Sequence, residues 1–570
     1  MKASDYIVEF LIKNGIRDIF GYPGGMVTHF MDSLDKYSGK ISAHVNYHEQ
    51  AAAMAACGWA EIAGLPGVAY ATSGPGATNL LTGIACAYFE SLPCIFVTGQ
   101  VNTYEQKKHI RVRQKGFQET DIVSMAKPVT KDAFMVQSAQ ELPEKLKYAF
   151  ELAMAGRKGP VLLDIPMDVF RGEVKDAVCC AGETNCSEES TTVAEDILSH
   201  LRNAKRPVVL AGHGISLSGV REPFRALVEE LKIPVVTSMI AVDVLPADSE
   251  LHFGMIGAYG LRYANYIIDH SDCILTLGSR LDCRQTGVNK SLFAPKATIL
   301  RVDIDEGELE NKTHEVEKQY VTDLKALVPQ LRKSLKGEQF HFESWLETCR
   351  AVRQLLVNVD LNNPGNYAAI QLGQIIPDDA IITTDVGQNQ VWIAQSLKHR
   401  AKQRILFSGG HGAMGYSLPA AIGAALASHK TVICCTGDGG LQMNIQELEF
   451  IVREKLPIKI VLFDNSALGM IHHFQEMYFN SNYVQTDSTK GYTVPDFSKI
   501  ASAYGLRTVS FEADAERIRE ILTDPFPAFI SVPLPQTTHV FPKLGMNQAI
   551  HIQEPPLSKE IKSKVELLLE

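Results

Sequence analysis

The sequence has no excess of basic residues. Its 570 residues include 55 Lys and Arg against 65 Asp and Glu, which gives a net charge of −10 at pH 7. A protein that binds nucleic acid usually presents a basic face to the phosphates, so this balance argues against a nucleic-acid partner. Hydrophobic residues make up 45% and charged residues 21% of the chain, as in ordinary globular proteins.

Membrane segments, a signal peptide and zinc motifs are missing as well. No uncharged apolar run reaches the ~20 residues that cross a bilayer, and the start of the chain predicts an amphipathic helix rather than a signal peptide. The eleven Cys are scattered, without zinc-spaced CxxC pairs. Several lie in apolar or Ala-rich runs typical of buried free thiols in a reducing compartment: Cys57, Cys86, Cys94, Cys434 and Cys435. We therefore expect a cytoplasmic protein without membrane contacts.

The length and the order of the patterns predict several domains. A chain of 570 residues is too long for one hydrophobic core. Repeated strand, loop and helix patterns are typical of doubly wound parallel sheets. We expect three α/β domains of this class, at residues 1–180, 193–338 and 365–535, followed by a C-terminal tail at 536–570. A polar segment at 181–192 predicts the linker between the first two domains.

One βαβ unit, residues 431–470, carries the strongest chemical pattern. Apolar runs at 432–435 and 458–463 predict parallel strands that end at the same edge of a sheet. Asp438 and Asn465 follow these strands and should meet in space, and their oxygens suit Mg²⁺ or Ca²⁺ bridged to a phosphate. A Gly-Asp-Gly sequence alone is more often an ordinary turn. Its combination with a helix, a strand and an Asn is much rarer.

Glu49 opens a predicted helix that is rich in alanine. A Glu at this position is more often a solvated carboxylate of the first helical turn. The small apolar residues that follow it also allow a buried carboxyl, with a raised pKa suited to sharing a proton with a nitrogen heterocycle. The local sequence leaves both interpretations open.

The combined pattern resembles the diphosphate and metal signature of thiamine diphosphate (ThDP) enzymes. Beyond this signature, nearly the whole chain is similar to the catalytic subunits of the acetohydroxyacid (acetolactate) synthases. The resemblance rests on six motifs in the family's order: GYPGG (21–25), TSGPGATN (72–79), FQETD (117–121), GPVLLDIP (159–166), DVGQ (385–388) and LGM (468–470). Asp464 departs from the signature, which ends in Asn-Asn, at a position that is not the usual ligand.

The resemblance implies roles for individual residues. Glu49 is expected to hydrogen-bond the pyrimidine of ThDP and so promote loss of the thiazolium proton, with Gly25, Phe117 and Gln118 lining the reaction centre. Met414 is expected to be the apolar wedge that bends the cofactor. Further cofactor contacts are implied at Pro75, Asn79, Gln388, Asn389, Gly437, Gly439, Gly440, Gly469 and Met470, although Asn389 replaces a His of the family. Mg²⁺ is expected on Asp438, Asn465 and the backbone carbonyl of Ala467.

The central domain resembles the FAD-binding domain of the same synthases. The implied flavin contacts are Gly212, Gly214, Gly254, Met255, Gly278, Arg280, Asp303 and Asp305. Two departures are His213, inside a turn that has three glycines in the family, and Ile256, which replaces a His.

The resemblance also implies an acceptor pocket, where this chain departs most. Arg284 matches the arginine that binds the carboxylate of the second 2-oxoacid through two parallel hydrogen bonds; the alternative for this residue is a surface ion pair with Asp282. Four positions differ from the family pattern: Met167 replaces a Lys, His29 a Pro, His411 a Leu and Phe474 a Trp.

These features lead us to expect a ThDP-dependent carboligase that decarboxylates pyruvate and transfers the two-carbon unit to a second 2-oxoacid. One alternative keeps this donor chemistry with another acceptor, such as a keto-sugar, another ketone or an aldehyde. A further alternative is a non-ligating 2-oxoacid decarboxylase, with His411 or His473 as proton donor. A relative without turnover would be expected to lose Glu49 or the metal ligands, and both are present. The resemblance implies a homodimer, or a dimer of dimers, with active sites at the interface.

Overall fold

The computed structural model describes residues 1–175, 189–315, 317–335, 337–338, 340–357, 359, 362–512 and 515–570. Most of the predicted linker at 181–192 therefore lies outside the described residues. Three six-stranded parallel sheets with flanking helices make up the protein, which confirms the predicted α/β fold class.

The first sheet lies within residues 18–166. Its strands are β1 (Asp18–Gly21), β2 (Ser42–Val45), β3 (Gly67–Ala71), β4 (Cys94–Gln100), β5 (Asp132–Met135) and β6 (Val161–Pro166), in the order β2-β1-β3-β4-β6-β5. Its helices are α1 (Ala3–Lys13), α2 (Thr28–Lys36), α3 (Glu49–Ala63), α4 (Pro75–Asn79), α5 (Leu81–Phe89), α6 (Ile122–Ala126), α7 (Leu142–Met154) and α8 (Met167–Phe170). Strands β3, β4 and β6 are buried along their whole length, because helices cover both faces of the sheet.

The central sheet has the strands β7 (Pro207–Ala211), β8 (Val235–Thr237), β9 (His252–Met255), β10 (Cys273–Leu277), β11 (Thr298–Asp303) and β12 (Lys318–Val321), in the order β12-β11-β10-β7-β8-β9. Its helices are α9 (Glu189–Asn203), α10 (Gly214–Leu217), α11 (Arg221–Leu231), α12 (Arg262–Asp269), α13 (Cys283–Thr286), α14 (Glu306–Glu310), α15 (Leu324–Leu335) and α16 (Glu343–Leu356). Trp345 and Val352 of α16 belong to the central hydrophobic core. The central packing unit therefore extends past residue 338.

The third sheet has the strands β13 (Ile381–Thr384), β14 (Arg404–Leu406), β15 (Val432–Gly437), β16 (Ile458–Asp464), β17 (Arg507–Ser510) and β18 (Ala528–Pro533). Its order, β14-β13-β15-β16-β18-β17, repeats the topology of the first sheet. Its helices are α17 (Pro364–Ile375), α18 (Gln388–Ser396), α19 (Ser417–Ser428), α20 (Asp438–Met443), α21 (Glu447–Arg453), α22 (Gly469–Tyr478), α23 (Phe497–Ala503) and α24 (Ala515–Thr523).

The C-terminal tail packs against the central domain. Strands β19 (Lys543–Leu544) and β20 (Gln553–Glu554) form a short antiparallel pair, and α25 (Lys559–Leu569) follows. Ile550, Val565 and Leu569 are buried in the central core, and Asn265 donates a hydrogen bond to the carbonyl of Ile550 at 2.9 Å.

Helix α3 of the first domain crosses α19 of the third at very close range. A Cβ built on Gly58 would lie 2.2 Å from the carbonyl oxygen of Ala420, and one built on Gly423 would lie 1.9 Å from that of Ala55. The crossing therefore requires glycine at both positions. One hydrophobic cluster runs through both domains as a result.

Among the described residues, no helix is both long and apolar enough to cross a membrane. The eight cysteines in this part of the chain are all free, and Cys283 is the exposed one among them.

Candidate active site

Asp438 lies at the carboxyl end of β15, where α20 begins. Its Oδ1 accepts hydrogen bonds from the backbone N–H of Gly439 at 2.6 Å and from the hydroxyl of Tyr492 at 2.9 Å, and its Oδ2 accepts one from the N–H of Ala467 at 3.2 Å. The residue is 3% exposed. Burial raises the pKa of Asp438 to about 6. A bound cation would favour the ionised form of this carboxyl.

Asn465 follows the neighbouring strand and contacts the start of α18. Gly437 of β15 pairs with Phe463 of β16, so both strand ends lie at one edge of the sheet. The Asn465 Nδ2 donates to Oε1 of Gln388 at 2.9 Å, which leaves its Oδ1 as the oxygen suited to a cation. A Cβ built on Gly469 would lie 2.0 Å from the same Gln388 oxygen. A larger residue at the start of α22 would displace the Gln388 amide.

Two buried polar atoms at the start of α18 have no partner within the described residues. They are Nε2 of Gln388 and Oδ1 of Asn389, on residues that are 5% and 3% exposed. An unpaired buried polar atom costs free energy unless a ligand or water satisfies it. The free N–H groups at the starts of α18 and α22 favour an anion at the same place. The residues present therefore fit a diphosphate together with a divalent cation.

Asp385 holds the backbone next to Met414, the predicted wedge. Its Oδ1 accepts a hydrogen bond from the N–H of Gly415 at 2.8 Å and its Oδ2 accepts one from the hydroxyl of Thr436 at 3.1 Å. Burial raises the pKa of Asp385 to about 6. The methyl group of Met414 lies 2.8 Å from a Cβ built on Gly439, so Met414 covers the helix start that carries Asp438. Gly440 packs against the Asp385 carboxyl, and Met470 packs against the third-domain core.

Glu49 is a buried residue at the start of α3. It is 8% exposed, and its Oε2 accepts a hydrogen bond from Nδ2 of Asn79 at 2.9 Å. Its Oε1 lies 3.0 Å from a Cβ built on Gly76, in the turn after β3 that also contains Pro75. Of the two interpretations left open by the sequence, the solvated carboxylate is wrong.

The other predicted reaction-centre residues surround the same strand ends. Gln118 has a φ of 63°, and its Cβ lies 2.9 Å from a Cβ built on Gly74 in the turn after β3. Phe117 is 77% exposed, although it is large and apolar. A Cβ built on Gly25 meets no atom within 4 Å. This edge of the first sheet is therefore open.

Within the described parts of the chain, no hydrogen bond or ion pair joins Glu49 to Asp438, Asn465 or Gln388. Among these residues, Glu49 and Asp438 therefore belong to two hydrogen-bonded clusters that are not joined to each other.

A cavity of about 680 Å³ lies between the three domains. Its volume is in the range of small-molecule and cofactor sites. Five of the eight predicted flavin positions line it: Gly214, Met255, Gly278, Arg280 and Asp303. Gly212 instead packs against Gly278, and Gly254 packs against Leu261. Asp305 forms an ion pair at 3.0 Å with Arg157, which lines the cavity.

Arg284 borders this cavity, but its predicted alternative contact is absent. The Oδ1 of Asp282 accepts a hydrogen bond from the backbone N–H of Arg284 at 2.8 Å, whereas its Oδ2 pairs with Arg280 at 3.3 Å. In the described part of the chain, the Arg284 guanidinium has no ion pair with Asp282.

The other four predicted acceptor residues lie in different places. The ring of His411 stacks on that of Phe89, with 5.5 Å between the ring centres. Phe474 lies on α22 and is 41% exposed. Met167 begins α8, half-buried, and His29 lies in α2, where burial lowers its pKa. No hydrogen bond or ring contact joins any two of the five predicted acceptor residues over the described ranges.

A buried charge cluster connects the three domains beside the cavity. Oε1 of Glu61, on α3, lies 3.6 Å from Nε2 of His213 and 3.5 Å from the guanidinium of Arg404, which also pairs with Asp243 at 2.9 Å. Burial raises the pKa of Glu61 to about 8 and lowers that of His213 to about 4. Since His213 also lines the cavity, the cluster connects the cavity wall to the domain contacts.

Sequence reasoning missed two residues of this region, Tyr492 and Glu447. Tyr492 contacts Asp438 from 54 residues away, and Glu447 hydrogen-bonds Asn46 across 401 residues. Neither lies in a pattern that indicates such a contact, so no local signal could have identified them.

Comparisons with known proteins agree with this geometry. Three family models match in order: "Thiamine pyrophosphate enzyme, N-terminal TPP binding domain" at residues 1–125, the central domain at 194–331 and the C-terminal TPP binding domain at 385–532. Acetolactate synthase isozyme 2 large subunit of Escherichia coli is 36% identical over 89% of this chain and 90% of its own length. Acetolactate synthase large subunit of Lactococcus lactis is 35% identical over 95% of this chain and 94% of its own length.

A third relative, the probable acetolactate synthase large subunit of Methanocaldococcus jannaschii, is 36% identical over 93% of this chain and 92% of its own length. Similarity at this level covers all three domains rather than one shared module. The chain therefore belongs to the thiamine pyrophosphate enzymes, together with proteins named as acetolactate synthase large subunits.

Proposed function

We propose that this enzyme decarboxylates pyruvate and joins the remaining two-carbon unit to a second 2-oxoacid, with 2-acetolactate as the product when pyruvate is also the acceptor. The observation that carries the proposal is the buried Asp438, Asn465 and Gln388 cluster, with its unpaired polar atoms, in a chain similar over its length to acetolactate synthases. These relatives favour a 2-oxoacid acceptor over the keto-sugar and over simple decarboxylation.

When bound, ThDP would supply a carbon nucleophile for a 2-oxoacid carbonyl and an electron sink for loss of CO₂. The role of the protein's own residues is to position the cofactor and to share a proton with it. Glu49 is buried against Asn79 and is the carboxyl that shares a proton with the pyrimidine. Gln388, Gly439, Gly440 and Gly469 hold the diphosphate. Met414 would be the apolar contact of the cofactor beside Gly439, and Gln118, Phe117 and Gly25 would border the space for the reacting carbonyl.

Mg²⁺ completes the diphosphate site in this proposal. Asp438, Asn465 and the carbonyl of Ala467 contribute hard oxygen ligands, and diphosphate oxygens supply others. Over the described residues, no group of three or more His, Cys, Asp or Glu side chains could hold a metal ion. The proposed ligand set lies outside such a group, because two of its three members are an amide and a backbone carbonyl.

FAD is the proposed occupant of the cavity between the domains. Its support is the volume of about 680 Å³ and the five lining residues that match the expected flavin contacts. A yellow purified protein with a flavin absorption spectrum would support this assignment. A colourless, fully active enzyme would remove FAD from the proposal.

The active unit in this proposal is a homodimer, alone or within a tetramer, with Glu49 and Asp438 of each site on different subunits. The separate clusters in one chain and the exposed Phe117 support this arrangement. We place the protein in the cytoplasm, because its described cysteines are free and nearly all buried.

Incubation with pyruvate, ThDP and Mg²⁺ tests the reaction. Acetolactate, detected as acetoin after acid decarboxylation, is the expected product, and Glu49→Gln should slow its formation by orders of magnitude. Consumption of pyruvate without acetolactate would refute the proposed acceptor. A panel of ketone, aldehyde and keto-sugar acceptors in the same assay would then identify the alternative.

A further inference from the structure

Glu447 joins the third domain to the loop that leads into Glu49. It is the first residue of α21 and is fully buried. Its Oε2 accepts a hydrogen bond from Nδ2 of Asn46 at 2.9 Å, and its Oε1 accepts one from the backbone N–H of Tyr47 at 2.8 Å. Both carboxyl oxygens of Glu447 therefore accept hydrogen bonds from residues 46 and 47, just before α3 begins.

The residue on the other side of Glu49 is also held by the third domain. Nδ1 of His48 accepts the N–H of Gln50 at 3.1 Å and caps the helix. Nε2 of Gln50 donates to Oδ1 of Asn444 at 3.4 Å, and Asn444 donates to the carbonyl of Gly415 at 2.8 Å. Residues on both sides of Glu49 are thus held by Glu447 and Asn444 of the third domain, which follow the turn at Asp438 in the chain.

A carboxyl group is energetically unfavourable at this fully buried position. Burial disfavours its charged form and raises the pKa of Glu447 to about 7. Apolar side chains of similar volume often stabilise a buried position better than charged ones. The carboxyl instead fixes the geometry of the contact, because its two oxygens accept hydrogen bonds from two donors, on Asn46 and Tyr47.

We propose that Glu447 is a positioning residue for the reaction: it fixes residues 46–48 and thereby aims the Glu49 carboxyl at the cofactor pyrimidine without touching the cofactor. The inference rests on the proposed role of Glu49. It also connects α21, which follows the metal-binding turn at Asp438, to the residue that activates the cofactor.

The test compares Glu447→Gln with Asn46→Asp and with the double variant. In Glu447→Gln the new N–H₂ cannot accept from Nδ2 of Asn46, so the contact persists only where the Asn46 amide turns and offers Oδ1, which has no partner among the described residues. Asn46→Ala, by contrast, removes this contact outright. In the double variant the new amide can donate to a carboxylate at position 46, which restores the pair in reversed polarity. Glu449→Gln, on the same helix and outside these contacts, is the matched control.

The decisive readout is the rate at which the thiazolium proton of bound ThDP exchanges with D₂O, followed by NMR after acid quenching, together with the affinity for ThDP. Glu447→Gln should slow exchange by about tenfold or more, because small displacements of a catalytic group cost large factors in rate. The affinity should stay within about twofold, because Glu447 does not contact the diphosphate site. The double variant should recover most of the rate.

Exchange at the wild-type rate in Asn46→Ala, or a slowed rate in Glu447→Gln that the double variant does not restore, would overturn the inference. If Glu447→Gln does not fold, Asn46→Ala removes one of the two hydrogen bonds and is judged by the same exchange criterion. Glu49→Gln separates this inference from its premise: unchanged exchange there would refute the proposed role of Glu49 itself.

Discussion

The hydroxyl of Tyr492 donates a hydrogen bond to Oδ1 of Asp438 at 2.9 Å, the carboxyl proposed to bind Mg²⁺. This bond orients the carboxyl before the metal arrives. Tyr492→Phe should therefore weaken Mg²⁺ binding by about tenfold or more, with activity largely restored at saturating metal, because one hydrogen bond to a charged group is worth about 1.5–3 kcal/mol.

Metal titration of the holoenzyme measures this effect. Tyr483→Phe is the matched control from the same segment, because its hydroxyl contacts Glu476 and not Asp438. An unchanged metal dependence in Tyr492→Phe would show that the hydroxyl does not prepare the carboxyl.

Gly469→Ala should weaken ThDP binding. The added methyl would lie 2.0 Å from Oε1 of Gln388 and 2.7 Å from Nδ2 of Asn465, so both amides must move out of the diphosphate site. We expect at least about a tenfold loss of affinity, the equivalent of one displaced hydrogen-bonding group. Quenching of Trp392, which lies on α18, provides a local fluorescence readout.

The control for this substitution is Gly545→Ala, whose methyl would meet the flexible side chain of Gln548 at 3.2 Å in the tail. Equal ThDP affinity in Gly469→Ala and the wild type would contradict the assignment of the diphosphate site.

Active sites shared between subunits predict complementation between two inactive variants. A heterodimer of Glu49→Gln and Asp438→Asn chains would contain one site with both defects and one site with neither. Random reassociation of equal amounts should therefore restore about one quarter of wild-type activity. Each variant alone should remain inactive. No recovery after verified subunit exchange would place Glu49 and Asp438 of one site on the same chain.

Glu61 should make stability depend on pH. Its pKa in the folded protein is about 8, above the ordinary value of 4.5, so folding takes up a proton between these values. The free energy of unfolding then falls as pH rises through this window, by at most about 1.4 kcal/mol per pH unit, and the loss is complete above about pH 8. Glu61→Gln should flatten this dependence.

Thermal midpoints at several pH values between about 5 and 9 measure the slope for Glu61. Glu520→Gln, at a side chain that is 71% exposed, is the control and should keep the wild-type slope. Parallel curves for Glu61→Gln and the wild type would mean that Glu61 stays ionised in the folded protein.

Much of the fold could be predicted from the sequence, and the reasons are local. Buried strands such as β7 and β10 are almost entirely apolar between polar turns, a pattern that predicts strands at these places. Short strands at the sheet edges, such as β2 and β14, have only four and three residues, and no apolar run of comparable length marks them. The equal strand order of the first and third sheets depends on contacts between distant segments, which local patterns do not encode.

The site could be predicted in part for the same reason. Asp438 and Asn465 follow adjacent parallel strands, and the geometry of a βαβ unit places them at one edge. The burial of Glu49, by contrast, depends on the turn and helix that carry Gly76 and Asn79, about 30 residues along the chain, so its local sequence was ambiguous. Contacts such as Glu447 with Asn46 join distant parts of the chain, and no periodicity encodes them.

The close crossing of α3 and α19 limits how this enzyme can move. Neither Gly58 nor Gly423 has room for a single methyl group against the opposing backbone, so the two helices cannot slide or rotate past each other without colliding. This contact opposes a hinge motion of the first domain against the third. Opening and closing of the site should therefore involve loops and the central domain more than movement of α3 against α19.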